Sequence, residues 1–461
     1  MLLTSKRKKS IDAFVVLQLI NYMVVTIIMK DFFIAKYLRD ILIVLLTLNT
    51  AVVTKCRIQK DRVSACFIVF LFCIFVGIMQ SESMRIVLLA VRRYLIPLAW
   101  LYVIRKIDFR NRETKILNFV LYFILILSVF GIFQAQVLGD TFLRRLGYPV
   151  EYSYAYGRDM LYNSFYFGGF GIQRVVATLS SSNICALVLG PSLIFFLIYS
   201  PYLKSKHKKL VFFLIAAAYF LTFSRSNILC FIIVVLIMTW KYIPYKKYIF
   251  IGLAILMAGA IVIGIAQGNN GIIYKLLLWV QATLTFTESS AAGRLGIWRT
   301  AFEQVIKSPL GIGFGHVGAI GTGNRIVFSA ENSYLTLALD TGWLGVLSYT
   351  LGLLFAIFKL KKYAKIYAKL KDERGRRICV ASYAILMYFM GVMWFSNHIQ
   401  DMEAVTMVYL YAGVGLSYVE HTKNKEVSIN EQIHKITKVP LQTFKPLEKG
   451  IRIPNPHVKK K

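Results

Sequence analysis

Acidic residues are scarce in this chain. Its 461 residues hold 22 Asp and Glu against 55 Lys and Arg, a formal charge of +33. Cysteine is rarer still: Cys56, Cys66, Cys73, Cys185, Cys230 and Cys379 are the only six, and all fall in apolar runs or basic segments. That placement argues against a disulfide framework and against a CxxC metal site. No DxD pair and no His/carboxylate cluster marks a metal site elsewhere. No cleavable signal peptide is evident: the basic flank "MLLTSKRKKS" leads into an apolar run of bilayer length without a small-residue cleavage site. The spacing of apolar segments has no internal repeat, which counts against a repeat-built transporter.

Long apolar runs are what the chain has in quantity. It is 57% hydrophobic and 14% aromatic, more apolar surface than a soluble domain of this size could hide. Many segments approach the ~20 apolar residues that cross a bilayer. The pattern predicts an all-α polytopic membrane protein with about twelve transmembrane helices, over roughly 11–29, 38–54, 65–80, 86–104, 116–138, 183–200, 209–224, 226–240, 248–266, 333–358, 378–396 and 403–419. With a cytoplasmic N-terminus, the inner segments hold 39 of the 55 Lys and Arg, so every short inner loop is basic. Both termini are therefore expected in the cytoplasm. The positive charge belongs to membrane topology, and no nucleic-acid partner is expected. Residues 1–420 read as the transmembrane domain and 421–461 as a basic cytoplasmic tail. The tail reads as a disordered arm near anionic lipid, with a docking site for a cytoplasmic regulator as the minority reading.

Two outer loops are long, at about 139–182 and 267–332, and extracytoplasmic work belongs to them and the nearby span ends. The first, "YPVEYSYAYGRDMLYNSFYFGGFGIQR", has the aromatic density of a membrane-interface belt. Aromatic platforms also stack on sugar rings, and the sequence alone does not separate the two. The second contains "GRLGIWRTAFEQVIKSP", where Leu295, Trp298, Phe302, Val305 and Ile306 recur at helical spacing opposite Arg299, Glu303, Gln304 and Lys307. This predicts an interfacial amphipathic helix, ended by Pro309 and followed by a flexible glycine-rich segment, "LGIGFGHVGAIGTG". That segment lacks both the preceding strand of a dinucleotide fold and the Lys-Ser/Thr of a phosphate loop, so it is no nucleotide site.

Charges in or beside the membrane are costly and hence informative. Arg92 and Arg93 lie roughly 10 Å below the outer end of their span at 1.5 Å per residue. Arg225 sits in the tight turn "LTFSRSN", while Arg174, Arg294 and Arg299 come from the long loops. Each alone could be a snorkelling arginine. Six on one leaflet suggest a pocket for an anionic group, and the planar guanidinium fork suits pyrophosphate. In "AENSYLTLALDTGWLG", Asn332 reads as the cap of a helix opening through Ser333 and Tyr334. Glu331 precedes that cap and is free to project outward. Asp340, nine residues on, lies about 900° round the helix and ~13 Å deeper, so the two carboxylates form no catalytic pair. Asp340 instead suits a polar network near Gly342 and Gly345, where helices can approach closely.

Here a resemblance becomes specific. "GRLGIWRTAFEQVIKSPLGIGFG" followed by "ENSYLTLALDTGWLGVLSYTLGLL" resembles the signature of the O-antigen polymerase and ligase superfamily. "LTFSRSNILCF" and "RVVATLSSSNICAL" are similar to two further stretches of its members. The resemblance covers roughly residues 170 to 358. It implies a metal-independent glycosyltransferase, without cofactor, on the outer face of the bacterial cytoplasmic membrane. Its substrate would be an undecaprenyl-pyrophosphate-linked glycan, and its partners membrane lipids and a candidate chain-length regulator. Ligases of the superfamily carry histidine where this chain has Glu331, which favours a polymerase joining repeat units. A ligase using another acceptor is the second reading, and a flippase or exporter of the same glycan the third. Expected catalytic residues are Glu331, Arg225 and Arg294. Expected substrate-binding residues are Arg174, Arg299, Asn332, Tyr334, His316, Arg92 and Arg93.

Overall fold

Asp61, Ser83, Ser181 and Asp372 each stand just ahead of a helical run, and each side chain accepts the backbone N–H three residues on. Such caps satisfy an amide that the first turn leaves free, and they fix where a helix begins. The computed structural model describes residues 33–54, 60–81, 83–107, 109, 113–145, 147–148, 150–153, 158–161, 165–167, 172–203, 207–239, 289–317 and 330–437. Its helices are α1 (Phe33–Val53), α2 (Arg62–Met79), α3 (Met84–Lys106), α4 (Glu113–Phe133), α5 (Gly139–Arg145), α6 (Ser182–Tyr199), α7 (Lys208–Phe220), α8 (Arg225–Val234), α9 (Ser289–Lys307), α10 (Ser333–Lys369), α11 (Glu373–Phe395) and α12 (Met402–Thr437). The chain divides into two units, Met1–Val419 and Glu420–Lys461.

Among the described residues, seven helices are long and apolar enough to cross a membrane, and Asp40–Val53 and Arg225–Ile237 are shorter apolar helices. The protein is therefore an all-α polytopic membrane protein. The expected spans at 11–29 and 248–266 lie outside the described residues. Residues 421–437 are helical, where an unstructured arm was expected; 438–461 lie outside the description.

The first long loop is not purely irregular. It carries two antiparallel hairpins, β1 (Val150–Ser153) with β2 (Arg158–Leu161) and β3 (Tyr166–Phe167) with β4 (Ile172–Gln173). Leu143, Leu161, Phe165 and Val176 bury a small core beneath them. Part of the loop's aromatic content is thus structural: Phe167 stacks on Phe223, with ring centroids 4.3 Å apart.

Helix α10 is central, packing against α2 and α11. Along its seam with α2, a Cβ on Gly352 would lie 3.3 Å from the Phe67 ring, and one on Gly77 would lie 2.5 Å from the Asp340 carbonyl. The span predicted at 333–358 lies within α10, one of the seven helices able to cross a membrane, but it is kinked. Gly342 takes φ 73°, ψ 178°, which breaks α10 into an outer half-helix and a long inner one. A break inside a membrane strands backbone groups that no water can serve. The segment after α9 serves them: Trp343 N–H donates to the Pro309 carbonyl (3.1 Å), and Ile312 N–H donates to the Leu339 carbonyl (2.7 Å).

That docking explains the first part of the glycine-rich segment, 310–317, and corrects its expected flexibility there; 318–323 lie outside the described residues. Gly311 and Gly313 have φ of 88° and 79°. A Cβ on Gly311 would lie 2.8 Å from the Gly342 nitrogen, and one on Gly313 would lie 2.8 Å from the Gln80 Cβ. Gly311 and Gly313 are there for close approach, and the described part of the segment, 310–317, is packed.

On the side that charge assigns to the cytoplasm, Asp61 Oδ2 accepts from Lys359 Nζ (2.7 Å) and Arg105 Nη2 (3.0 Å). The start of α2 is thereby tied to the end of α3 and to the inner half of α10. On the opposite side gather the turn after α7, the start of α9, the start of α10 and the α11–α12 connection.

Candidate functional site

The stretch 330–334 divides its work residue by residue. Asn332 Oδ1 accepts from the N–H groups of Tyr334 (2.9 Å) and Leu335 (3.2 Å), capping α10, while Asn332 Nδ2 donates to the Trp394 carbonyl (2.8 Å). Ser333 Oγ donates to the Ser396 carbonyl (2.8 Å) and accepts from His398 N–H (2.9 Å). Tyr334 OH donates to the Met390 carbonyl (2.9 Å). These three side chains lash α10 to the end of α11. Asn332, at 3% exposure, has little surface left for a ligand.

Glu331 goes the other way. It holds φ 42°, an uncommon conformation for a residue with a Cβ. Its Oε2 accepts from Arg294 Nε at 2.6 Å, with the two side chains 40% and 33% exposed. The structure therefore joins two residues that the sequence offered separately. Arg294 reaches the lip because α9 packs through Ala301 and Val305, both buried against Ala338 and Leu339 of α10. Leu295, Phe302 and Ile306 are exposed in a separate row on α9, as expected of an interfacial helix, and Phe302 meets Trp343 edge-on at 6.4 Å. Arg299 lies on the third, polar face. It is 83% exposed and pairs with Glu303 four residues on (3.1 Å), so it does not join Arg294 and Glu331.

A second arginine pair sits where the two other quoted stretches meet. Arg174 Nε donates to the Thr222 carbonyl (2.7 Å) and Arg174 Nη2 to Asn183 Oδ1 (3.0 Å). Ser224 Oγ also donates to Asn183 Oδ1 (2.9 Å), Asn227 Nδ2 donates to Ser224 Oγ (2.9 Å), and Tyr388 OH donates to Asn227 Oδ1 (2.6 Å). "RVVATLSSSN" and "LTFSRSN" are thus one polar knot, closed by Val175 N–H donating to the Leu221 carbonyl (3.0 Å). Burial, and then the neighbouring Arg225 guanidinium, push Arg174 down to about 10. Two cations thus stand side by side next to the polar groups of Asn183, Ser224 and Asn227.

The two arginine sites flank one helix, α11. Tyr334 of α10 bonds to Met390 on it, and Gly391 lies against α8, where an added Cβ would sit 3.0 Å from Cys230 Sγ.

Arg92 and Arg93 part company, as helical neighbours must. Arg92 Nε pairs with Asp40 Oδ2 at 2.5 Å, whereas Arg93 Nη1 donates to the Gln400 carbonyl at 3.0 Å. Gln400 belongs to a polar set that the sequence reading missed. Its Nε2 donates to Asp340 Oδ2 (2.9 Å) and to the Val317 carbonyl (3.3 Å), and Tyr94 OH donates to the same Asp340 oxygen (2.6 Å). Asp340 has the network role its rotation suggested. His316 stands beside Val317 at the edge of this set and is partly exposed. Also missed was the buried His398, whose Nδ1 lies 2.7 Å from Asp401 Oδ2. The available signal was "SNHIQD", six mostly polar residues between two apolar spans.

Residues 210–350 match the family model described as O-Antigen ligase. Over that stretch, about a third of the chain, the sequence is similar to the O-antigen polymerase and ligase superfamily. The matched segment runs from α7 through the Ser-Arg turn, α9 and the glycine segment to the broken half of α10, so it contains Arg225, Arg294 and Glu331. Members of the superfamily are membrane glycosyltransferase-like enzymes that act on lipid-linked glycans. No curated protein matches the chain.

Proposed function

We propose that the protein is a polymerase that joins undecaprenyl-pyrophosphate-linked oligosaccharide units into a surface polysaccharide on the outer face of the bacterial cytoplasmic membrane. The observation that carries this reading is the pair of arginine sites, Arg174 with Arg225 and Arg294 with Glu331, flanking α11 on one side of the bundle. A glycan on a lipid pyrophosphate needs cations for its leaving group and a base for the incoming hydroxyl. The two sites offer both.

In the proposed step, an acceptor sugar hydroxyl oxygen bonds to the donor's anomeric carbon as the bond from that carbon to the pyrophosphate oxygen breaks. The bonding electrons leave with the lipid pyrophosphate, and arginines already oriented by hydrogen bonds stabilise the growing charge. Guanidinium charge fills the role that a divalent ion has in other transferases. The hydroxyl proton passes to the Glu331 carboxylate. Arg174 and Arg225 hold one pyrophosphate and Arg294 the other, because each growing chain and each incoming unit carries its own lipid. Glu331, standing where ligases of the superfamily carry histidine, favours polymerase over ligase. The charge distribution supports both termini in the cytoplasm, and a chain-length regulator is a candidate partner.

Deleting the gene and separating the surface polysaccharide by size tests the reading. Single repeat units on the surface are expected. Full-length chains that have lost their attachment would make the protein a ligase, and glycan stranded on the cytoplasmic face would make it a flippase.

A further inference from the structure

The Arg294–Glu331 contact assigns opposite duties to one pair. The arginine is to hold a pyrophosphate and the glutamate is to take a proton, yet each holds the other at 2.6 Å. Resting on the polymerase reading of this site, we propose that the pair is a substrate-opened lock. Glu331 occupies the pyrophosphate subsite of Arg294 until a pyrophosphate group displaces it, and only then is its carboxylate released toward the acceptor hydroxyl.

Three observations meet here. The contact is made through Nε, one corner of the guanidinium fork, so a phosphate able to engage two N–H groups side by side is the better partner. Both side chains are one-third or more exposed, so the subsite is open to a ligand from outside. Glu331 carries a positive φ of 42°, immediately ahead of Asn332, which caps α10 with its own side chain. A non-glycine residue in that conformation is held there by its surroundings, and among the described residues the ion pair with Arg294 holds its side chain. Removing the arginine's grip would leave the lip residue free to turn. Electrostatics completes the exchange, because a pyrophosphate beside Arg294 repels the carboxylate it replaces.

The lock orders the reaction. A base masked until the leaving group is seated cannot act on the acceptor beforehand, which limits wasted transfer to water. It also separates binding from turnover in sign. Neutralising Glu331 clears the subsite, so pyrophosphate binding should tighten while chain growth is lost.

The test measures binding of inorganic pyrophosphate, and separately of a short prenyl pyrophosphate, to the full-length protein in lipid nanodiscs. Glu331→Gln should bind the pyrophosphate group roughly five- to tenfold tighter than wild type. That range corresponds to an exposed ion pair of about 1 kcal/mol plus the lost repulsion. Glu331→Ala should behave alike, which guards against a peculiarity of the amide. Adding Arg294→Ala to Glu331→Gln should abolish the gain. Tightening with both ligands places the effect on the pyrophosphate itself; tightening with the prenyl form alone would mean that the lipid tail is sensed, and would overturn the subsite. Glu331→Gln binding no tighter than wild type overturns the lock. None of these outcomes needs turnover, so a failure of the polymerase reading would appear separately, as wild-type protein that binds pyrophosphate but builds no chain.

Discussion

Replacing Asn332 separates a residue that builds the site from one that touches substrate. Asn332→Ala removes the acceptor of two first-turn N–H groups, at 2.9 and 3.2 Å, and the amide that serves the Trp394 carbonyl at 2.8 Å. Loss of such a cap costs about 1 kcal/mol. The abandoned carbonyl, at the end of α11, adds roughly another 1–1.5 kcal/mol. The sum, about 2–2.5 kcal/mol, should lower the midpoint of thermal unfolding in detergent by roughly 2–3 °C. Asn332→Asp keeps the capping oxygen and places negative charge at a helix N-terminus, which is favourable by about 0.3–1 kcal/mol. It still loses the donor to Trp394, so its cost should be about half that of alanine. Activity should follow stability across the two variants. If Asn332→Ala melts like wild type yet makes no polymer, the side chain contacts substrate and the structural assignment is wrong.

Arg225→Lys should lose most chain extension at normal expression, since an ammonium cannot reproduce the guanidinium fork; full chain length from the lysine variant would mean that charge alone suffices. At Asp61, burial alone would raise the carboxyl, but Arg105 and Lys359 outweigh it and hold it down from 3.8 to about 2. Its contribution is thus fully present above pH 3.8 and lost as pH falls through about 2, so Asp61→Asn should cost about 1–2 kcal/mol at pH 7. A neutral effect on unfolding at pH 7 would remove the three-way anchor from the list of stabilising contacts. Gly311→Ala should prevent accumulation of folded protein, because its Cβ would sit 2.8 Å from the Gly342 nitrogen at a φ of 88°; normal yield and melting would contradict the packed reading of the segment. Single cysteines placed at Gly147 and Lys371 should label from opposite sides of the membrane, and labelling of both from outside the cell would overturn the orientation.

Hydropathy made the all-α polytopic membrane class legible, because a bilayer imposes its length on every span. The residues of the site were legible one at a time. Arg294 and Glu331 were both named, but their pairing depends on Ala301 and Val305 seating α9 against α10, and no local pattern encodes that docking. The break at Gly342 was hidden because "DTGWLG" equally suits close packing of an unbroken helix. Its cause lies some thirty residues earlier, in the backbone groups of Pro309 and Ile312. The Asn183, Ser224 and Asn227 knot was missed for a related reason: short polar residues at span ends read as caps, and only their convergence shows them as the frame that holds Arg174. The 396–401 connection was passed over as too short to matter, though Ser333 anchors its backbone directly.

The most direct measurement reconstitutes the purified protein in vesicles with a lipid-linked oligosaccharide unit and sizes the lipid-linked products. Wild type should build a ladder of multiples, with Arg225→Lys and Glu331→Gln leaving single units behind. Transfer of single units to an acceptor that carries no lipid pyrophosphate, with no ladder, would contradict the polymerase assignment.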